Sequence, residues 1–236
     1  MSVSAVVLLS GGLDSSTVCA MAASQGRAIH ALTIDYNQRN KVELNAARQT
    51  ARAFHVKEHL IFPIHLDLFG GSSLTDPAIP VETSVPREKI GRVIPSSYVP
   101  ARNTIFLSLA LAMAETRGAS EIWLGVNSVD YSGYPDCRPE FIEAFHNLAQ
   151  KATKAGVEGE GIRVVTPLMS LSKGEIIRAG LKLGVDYSRT LTCYSPNERG
   201  WACGRCESCR LRLAGFQEAG VPDPARYVSR SDTTDQ

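Results

Sequence analysis

The chain has 236 residues, of which 44% are hydrophobic and 21% are charged, and its formal net charge is +1. This composition is too apolar for a disordered chain and is typical of a soluble globular protein with one large domain. The near-neutral charge supplies no broad basic field for a nucleic-acid backbone, so we predict no nucleic-acid partner.

The start of the chain lacks the pattern of a secretory signal. No cationic segment precedes a long apolar run, and the first apolar run, residues 5–9, is far too short to cross a bilayer. We therefore predict a cytoplasmic protein with no membrane partner. In that compartment its six cysteines should stay reduced unless they bind metal or take part in chemistry.

Apolar runs and helical patterns alternate along the chain. The runs predict strands over 3–9, 27–35, 57–64 and 121–126, and the helical patterns predict helices over 15–24, 42–54, 103–117 and 172–183. Ser172 and Glu175 have the spacing of a capping box at the start of the last helix. This alternation is typical of an α/β fold with a parallel sheet.

Two irregular stretches interrupt the alternation. Residues 70–97 hold four prolines and two adjacent glycines, and residues 128–139 follow directly after a predicted strand. Long loops of this kind in compact domains often serve as lids or binding loops.

The stretch LLSGGLDSST, residues 8–17, joins the first predicted strand to the first predicted helix. Its glycines let the backbone approach a ligand, and the unpaired N–H groups and dipole of the following helix favour an anion. Ser10, Ser15 and Ser16 add hydroxyl donors. Asp14 fits beside a phosphate if Mg²⁺ is present or if the carboxylate stabilises the turn. The alternative is a glycine-rich turn that binds nothing.

This stretch lacks the Gly-Lys-Ser/Thr ending of a Walker A loop. It resembles the PP-loop, the SGGxDS signature of enzymes that split ATP between its α and β phosphates. The resemblance implies a Rossmann-like, adenine nucleotide alpha hydrolase-like fold and a loop that binds the departing pyrophosphate. The loop residues it assigns to ATP are Leu9, Ser10, Gly11, Gly12, Leu13, Asp14, Ser15 and Ser16. Thr33, Asp35 and Arg39 end the second strand and should flank the adenosine.

Four cysteines lie close together near the end of the chain. Nine, two and two residues separate Cys193, Cys203, Cys206 and Cys209 in turn. Two-residue gaps let thiolates converge on one tetrahedral ion, and four thiolates leave no position for water, so we predict one structural zinc per chain. An iron–sulfur cluster and a redox pair at Cys203 and Cys206 are the alternatives. Cys19 is expected to be a small buried hydrophobe, and Cys137 is not assigned as a nucleophile.

Several stretches together resemble the 7-cyano-7-deazaguanine synthase family, from Val3 to about Ala219. They are LLSGGLDSST at 8–17, TIDYNQR at 33–39, YVPARNTIFLSLA at 98–110, DYSGYPDCRPEFI at 130–142, PLMSLSKGEII at 167–177 and TLTCY at 190–194, with the cysteines at 203–209. The family more usually has glycine at the position of Asn37 and a shorter link before Cys203. Asparagine tolerates positive φ next best after glycine, so the first departure is mild.

The resemblance implies an ATP-dependent carbon–nitrogen ligase that converts 7-carboxy-7-deazaguanine and ammonia to the 7-cyano compound in queuosine biosynthesis. A first adenylation would activate the carboxylate for attack by ammonia, and a second would activate the resulting amide for loss of water. We expect AMP and pyrophosphate as products and Mg²⁺ to accompany ATP. No glutaminase segment is visible, so free ammonia is the expected nitrogen source. The resemblance also suggests a homodimer.

Residue roles follow from the matched stretches. The resemblance assigns catalysis to Asp14, Ser15, Arg102 and Lys173. It assigns the carboxylated heterocycle to Arg102, Asn103, Asp130, Tyr131, Tyr134, Asp136 and Arg138. Arginine can form two parallel hydrogen bonds with a carboxylate, tyrosines can stack on a flat ring, and aspartates can accept from its N–H groups. The alternatives are a surface arginine at Arg102 and a solvated lysine at Lys173, and no general base is identified.

We divide the chain into three parts: residues 1–189 form the ATP-binding α/β domain, residues 190–228 form a zinc-binding region packed on it, and residues 229–236 form a frayed tail. Two other functions remain open. One is a PP-loop enzyme that adenylates a tRNA base, although no basic tract or added RNA-binding domain is visible. The other is a zinc-stapled nucleotide-binding regulator without turnover.

Overall fold

A computed structural model describes residues 2–83, 94–127 and 133–229 of the chain. The predicted substrate residues Asp130 and Tyr131 lie outside this part, as do all but the first residue of the predicted tail. None of the helices in the described part combines the length and the apolar character needed to cross a membrane.

Five parallel strands form one sheet. They are β1 (Ser4–Leu8), β2 (Ala28–Asp35), β3 (Glu58–Pro63), β4 (Glu121–Trp123) and β5 (Arg163–Val165). Their order across the sheet is β3-β2-β1-β4-β5, and each neighbouring pair is parallel. The predicted α/β fold with a parallel sheet is confirmed. The sequence reading did not predict β5, a three-residue edge strand that begins with the exposed Arg163 and therefore shows no continuous buried apolar run.

Helices connect the strands and cover the sheet. They are α1 (Leu13–Ser24), α2 (Val42–Ala53), α3 (Arg102–Arg117), α4 (Pro139–Ala152), α5 (Lys154–Val157), α6 (Lys173–Lys182) and α7 (Glu207–Ala219). Short 3-10 helices span Leu66–Phe69, Pro135–Cys137 and Tyr187–Arg189. The four predicted helices and four predicted strands are confirmed to within three residues at each end. The sequence reading did not identify α4 or α7.

Local signals explain two helix starts. Gly12 is extended, with φ −77° and ψ 171°, and it caps α1, which therefore begins two residues before the predicted start at Ser15. The predicted capping box of α6 is confirmed. The Ser172 hydroxyl accepts from the Glu175 amide at 3.2 Å, and the Ser172 amide donates to the Glu175 carboxylate at 2.8 Å.

The sheet separates two apolar layers because successive residues of β1 face opposite sides. Val6 and Leu8 face a core shared with α3 and α4, whereas Ala5 and Val7 face a core shared with α1, α2, α6 and α7. Burial on both faces explains why β1 and β2 read as continuous apolar runs. This packing fixes the carboxyl edge of the sheet, where the predicted PP-loop emerges.

The region that begins at residue 190 is attached to the α/β layers by buried polar contacts. Arg212 of α7 forms an ion pair with Asp223 at 2.9 Å, and both side chains are buried. The same guanidinium donates to the Tyr187 carbonyl at 2.9 Å and to the Thr190 hydroxyl at 2.8 Å. A buried pair of this kind needs such additional hydrogen bonds to offset its desolvation. The contacts tie α7 to the segment that leads into the cysteines.

Candidate active site

A cavity of about 230 Å³ opens at the carboxyl edge of the sheet. The strand order reverses at β1, which lies between β2 and β4, and ligands of open α/β sheets bind at such a switch point. Residues that follow β1, β2 and β4 line the cavity, together with parts of α2, α3 and residues 191–194. The fold therefore places the end of the predicted PP-loop strand at the centre of the cavity.

Gly11 shows why the loop requires glycine. Its φ is +82°, and a Cβ built there would lie 2.4 Å from the backbone nitrogen of Ala47 and 2.5 Å from the backbone oxygen of Glu43. Real Cβ atoms do not approach backbone this closely, so any side chain would push α2 away from the loop. The loop and the start of α2 thus form one tightly packed wall.

The loop serines have different surroundings. Ser10 and Ser15 line the cavity, with their hydroxyl oxygens 3.0 Å apart, and the Ser15 hydroxyl donates to the Gly12 carbonyl at 3.3 Å. The Ser16 hydroxyl lies 3.1 Å from the Thr50 hydroxyl and is fully buried against α2. Two of the three predicted hydroxyl donors therefore face the cavity, and the third connects two helices.

Asp14 is paired with a residue far along the chain. The Lys173 ammonium donates to both carboxylate oxygens of Asp14, at 2.8 and 3.0 Å. The side chains are only 6% and 15% exposed, so Lys173 is not the solvated lysine that the alternative interpretation described. Asp14 lines the cavity, and the pair brings the first turn of α6 to the loop.

The residues predicted to flank adenosine are placed differently from one another. Thr33 and Arg39 line the cavity. The Thr33 hydroxyl donates to the Leu9 carbonyl, and the Arg39 guanidinium donates to the Ile79 carbonyl at 3.2 Å. Asp35 lies outside the lining, where it pairs with Lys41 at 3.2 Å.

Arg102 and Asn103 begin α3 and line the cavity, as does Tyr134. The Arg102 guanidinium lies over the rings of Tyr36 and Phe106, 5.9 and 6.0 Å from their centroids. Stacking of this kind holds a guanidinium in place while its edge stays available to an anion. The arrangement suits the recognition of a carboxylate beside a flat ring.

Asp136 and Arg138 do not line the cavity. The Asp136 carboxylate accepts from the Asn103 amide at 3.0 Å, so it caps the start of α3. Arg138 is an exposed residue at the start of α4. Two aspartates were predicted to accept hydrogen bonds from the heterocycle. Asp136 instead accepts one from the backbone of Asn103, and Asp130 lies outside the described residues.

The sequence reading did not identify Glu43, which lines the cavity together with Gln38 and Cys137. Gln38 donates to Glu43 Oε1 at 2.7 Å, and burial raises the pKa of Glu43 to about 7 against the lowering effects of Gln38 and Arg102. A glutamate in the first turn of a helix is usually explained by the helix dipole, so its position carried no distinct signal. Burial also raises the pKa of the Cys137 thiol to about 12, which keeps that sulfur protonated.

The four cysteines predicted to bind metal converge. Their sulfur atoms all lie within 4.8 Å of one another, and Cys193, Cys206 and Cys209 are buried. Zinc–sulfur bonds of about 2.3 Å in a tetrahedron place sulfurs roughly 3.8 Å apart, and the Cys203 and Cys209 sulfurs are 3.9 Å apart. Backbone amides of Cys203 and Ser195 donate to the Cys193 sulfur at 3.2 and 3.3 Å. The residues therefore fit a metal such as zinc.

Crowding also affects the protonation of these thiols. Hydrogen bonding with Cys193 and the other cluster cysteines lowers the pKa of Cys203 and raises the pKa of Cys209. The pKa of Cys206 is likewise lowered and that of Cys193 raised, so ionisation of some thiols in the cluster disfavours ionisation of the others. A bound cation would allow all four thiols to ionise together, because its positive charge favours the thiolate form of each ligand.

Comparison with known proteins gives similarity over nearly the whole chain. A family model described as "Queuosine biosynthesis protein QueC" matches residues 4–220. A protein named 7-cyano-7-deazaguanine synthase from Azotobacter vinelandii is 59% identical over 223 residues, covering 94% of this chain and 97% of the relative. One of the same name from Ectopseudomonas mendocina is 57% identical with the same coverage.

The fold also aligns with a crystal structure described as a predicted subunit of tRNA methyltransferase from Methanocaldococcus jannaschii. The TM-score is 0.48 and the sequence identity 14%, covering 98% of this chain and 94% of that one. A likeness at this level has no bearing on function.

Proposed function

The chain belongs to the queuosine biosynthesis protein QueC family, and we propose that it converts 7-carboxy-7-deazaguanine and ammonia to 7-cyano-7-deazaguanine at the expense of ATP. The enzyme is a carbon–nitrogen ligase, in keeping with the name of its relatives at 57% and 59% identity. The observation that carries the proposal is that the PP-loop residues and Arg102 line one cavity at the switch point of the sheet.

The chemistry requires activation twice. A carboxylate is a poor electrophile because its leaving group would be oxide, so transfer of adenylate to the carboxylate makes a mixed anhydride that ammonia attacks. The resulting amide loses its oxygen only after a second adenylation, and departure of AMP then leaves the nitrile. Both adenylations release pyrophosphate at the same loop. The expected nucleotide products are therefore AMP and pyrophosphate.

The cavity suggests how the residues divide this work. Ser10, Gly12 and Ser15 provide amide and hydroxyl donors for the departing pyrophosphate, next to the amino terminus of α1. Leu9, Gly11, Leu13 and Ser16 shape and support this loop. Asp14 would help to hold the Mg²⁺ that accompanies ATP, and Lys173, which pairs with Asp14, would contact phosphate at the edge of the loop. Thr33 and Arg39 lie on the side that we assign to adenosine.

The substrate acid is assigned to the opposite wall. Arg102 holds the carboxylate, and Tyr134 and Asn103 contact the ring. Asp136 does not contact the substrate itself but positions Asn103, because its carboxylate accepts a hydrogen bond from the Asn103 backbone N–H. Arg138, Asp130 and Tyr131 remain assigned to the substrate by family resemblance alone, and Asp35 to ATP on the same ground.

We further propose that the four cysteines bind one structural zinc. Their closely spaced sulfurs and amide hydrogen bonds support this assignment. Four thiolates complete a tetrahedron, so such an ion holds the loop after residue 190 and takes no part in the reaction. Residues 190–228 then form a zinc-binding region on the α/β domain. A cytoplasmic homodimer without a nucleic-acid partner completes the proposal.

One incubation separates the proposed enzyme from the alternatives. The purified protein is mixed with ATP, Mg²⁺, ammonium and 7-carboxy-7-deazaguanine, and products are followed by mass spectrometry and nucleotide chromatography. A nitrile together with AMP is expected. A tRNA-adenylating enzyme would leave the acid unchanged, a regulator would consume no ATP, and ADP as the nucleotide product would contradict the PP-loop chemistry.

A further inference from the structure

The proposed reaction removes protons from nitrogen, and the residues assigned so far include no acceptor for them. Asp14 is paired with Lys173, Asp136 caps a helix, and Cys137 remains a protonated thiol. Glu43 is the remaining carboxylate among the described residues that line the cavity. We infer that Glu43 is the general base that accepts the proton lost from nitrogen when the adenylated amide becomes the nitrile. This inference rests on the proposed function.

Glu43 is held beside the pyrophosphate loop. It lies in the first turn of α2, and its backbone oxygen would be 2.5 Å from a Cβ at Gly11. Its Oε1 accepts from Gln38 Nε2 at 2.7 Å, which orients the carboxylate. Oε2 accepts no hydrogen bond from the described residues, so one lone-pair site is available to a substrate proton. The group is thus fixed on one oxygen and open on the other.

The charges around Glu43 suit this role. Arg102, which we assign to the substrate carboxylate, lines the same cavity as Glu43, and its positive charge lowers the pKa of Glu43. The negative charge of Asp35 acts in the opposite direction and raises the pKa of Glu43. The charged and titratable groups that line the same cavity are Asp14, Tyr36, Arg39, Arg102, Tyr134, Cys137, Cys193 and Tyr194.

The protonation behaviour agrees with the geometry. Burial raises the pKa of Glu43 to about 7, although the hydrogen bond from Gln38 and the positive charge of Arg102 oppose the rise. A base works best when its pKa lies near the working pH, because it is then both ionised and basic enough. An exposed glutamate, with a pKa of about 4.3, would be a much weaker acceptor.

The step balances without another reagent. In the adenylated amide the carbon carries one nitrogen and one oxygen linked to AMP. The N–H bond breaks, its electron pair becomes the additional carbon–nitrogen bond, and the C–O bond breaks with its pair on the phosphate oxygen of AMP. The proton passes to Glu43 and later to water. No oxidation or reduction occurs.

The test uses Glu43→Gln in the intact protein and follows acid, amide and nitrile together by quenched-flow mass spectrometry. Glutamine keeps the size of the side chain and removes its basicity. When the amide is supplied, its conversion to the nitrile should be slower by about 100-fold or more. When the acid is supplied, the amide should accumulate. Pyrophosphate–ATP exchange with the acid should stay within a few-fold of the parent enzyme.

Two further measurements complete the design. The rate of nitrile formation in the parent should rise with pH through an apparent pKa near 7, because the acceptor must be ionised, and Glu43→Gln should lose this limb. Glu43→Asp, which keeps a carboxylate, should retain part of the rate. Glu160→Gln, at an exposed glutamate, is the matched control and should change nothing.

Several outcomes would overturn the inference. They are normal nitrile formation by Glu43→Gln, an equal loss of exchange and nitrile, or a higher KM for the acid at unchanged kcat. The last result would make Glu43 a residue that reads the heterocycle. If the parent enzyme itself made no nitrile, the proposed function would fail first, and the comparison of variants would show this separately.

Discussion

The Lys173 ammonium contacts both carboxylate oxygens of Asp14 at 2.8 and 3.0 Å, although the two residues are 159 positions apart in sequence. Both side chains are largely removed from solvent. The pair joins the first turn of α6 to the first turn of α1. It therefore connects the stability of the fold with the geometry of the proposed pyrophosphate site.

Lys173→Met should lower the free energy of unfolding by about 3 kcal/mol, since removing one member of a buried pair leaves the other charge uncompensated. Urea denaturation provides the measurement. Lys182→Met, an exposed position on the same helix, is the control and should change stability by less than about 0.5 kcal/mol. The double variant Asp14→Asn/Lys173→Met should lose less than Lys173→Met alone, and a larger loss would contradict the uncompensated-charge explanation.

Gly11→Ala should damage the fold and nucleotide binding together. The left-handed backbone costs about 1–2 kcal/mol for an alanine, and overpacking against Ala47 adds about 1–3 kcal/mol. Gly184→Ala is the matched control, because Gly184 has a φ of +79° but no atom within 4 Å of a built Cβ. Thermal denaturation and ATP binding should show a clear difference between the variants. Equal effects would mean that the close approach at Gly11 does not matter.

Cys206→Ser should release the bound metal and loosen the region after residue 190. Serine is a poor ligand for zinc, and the remaining three thiols do not fill a tetrahedral site. Metal content by mass spectrometry should fall from one zinc per chain to a small fraction, with a lower melting temperature. Cys19→Ala removes a buried thiol that belongs to a different apolar cluster from the four cysteines and should leave the metal content intact. Iron instead of zinc in the parent protein would refute the metal assignment.

Glu58→Gln should change the acid stability of the protein. Hydrogen bonds from Arg117 and His30 lower the pKa of Glu58 from 4.5 to about 2. A carboxylate with a lowered pKa stabilises the fold fully above its unfolded pKa, and this contribution is lost as the pH falls from about 4.5 to about 2. The parent should therefore be more stable than the variant at pH 7 in urea denaturation, and the two should converge near pH 2. A difference independent of pH would assign the effect to packing.

Patterns local in sequence predicted most of the sheet and the chemistry of its loop. Apolar runs, the third of them less continuous than the others, identified β1 to β4, and Ser172 with Glu175 identified the start of α6. Asn37, which departs from the usual family residue, adopts a φ of 60°, and asparagine tolerates this conformation well. Such features depend on a few neighbouring residues, so they can be read before the fold is known.

Local sequence patterns did not predict the direction in which individual side chains point. Asp136 and Glu43 are both carboxylates beside helix starts, yet Asp136 caps α3 and Glu43 lines the cavity. Ser15 and Ser16 are adjacent serines, but neighbouring residues of a helix point in different directions. Ser15 therefore faces the cavity, whereas Ser16 faces Thr50. The packing of α2 and α3 on the sheet decides these differences.

The sequence by itself determined the parallel α/β fold, the strand–loop–helix setting of residues 10–16 and the grouping of four cysteines, because each depends on residue types at short fixed spacings. Only the tertiary structure decided that Lys173 pairs with Asp14, that Asp136 caps a helix and that Glu43 enters the cavity. Those relationships join segments that are distant in the chain. They depend on how helices pack at the carboxyl edge of the sheet, and no local pattern encodes that packing.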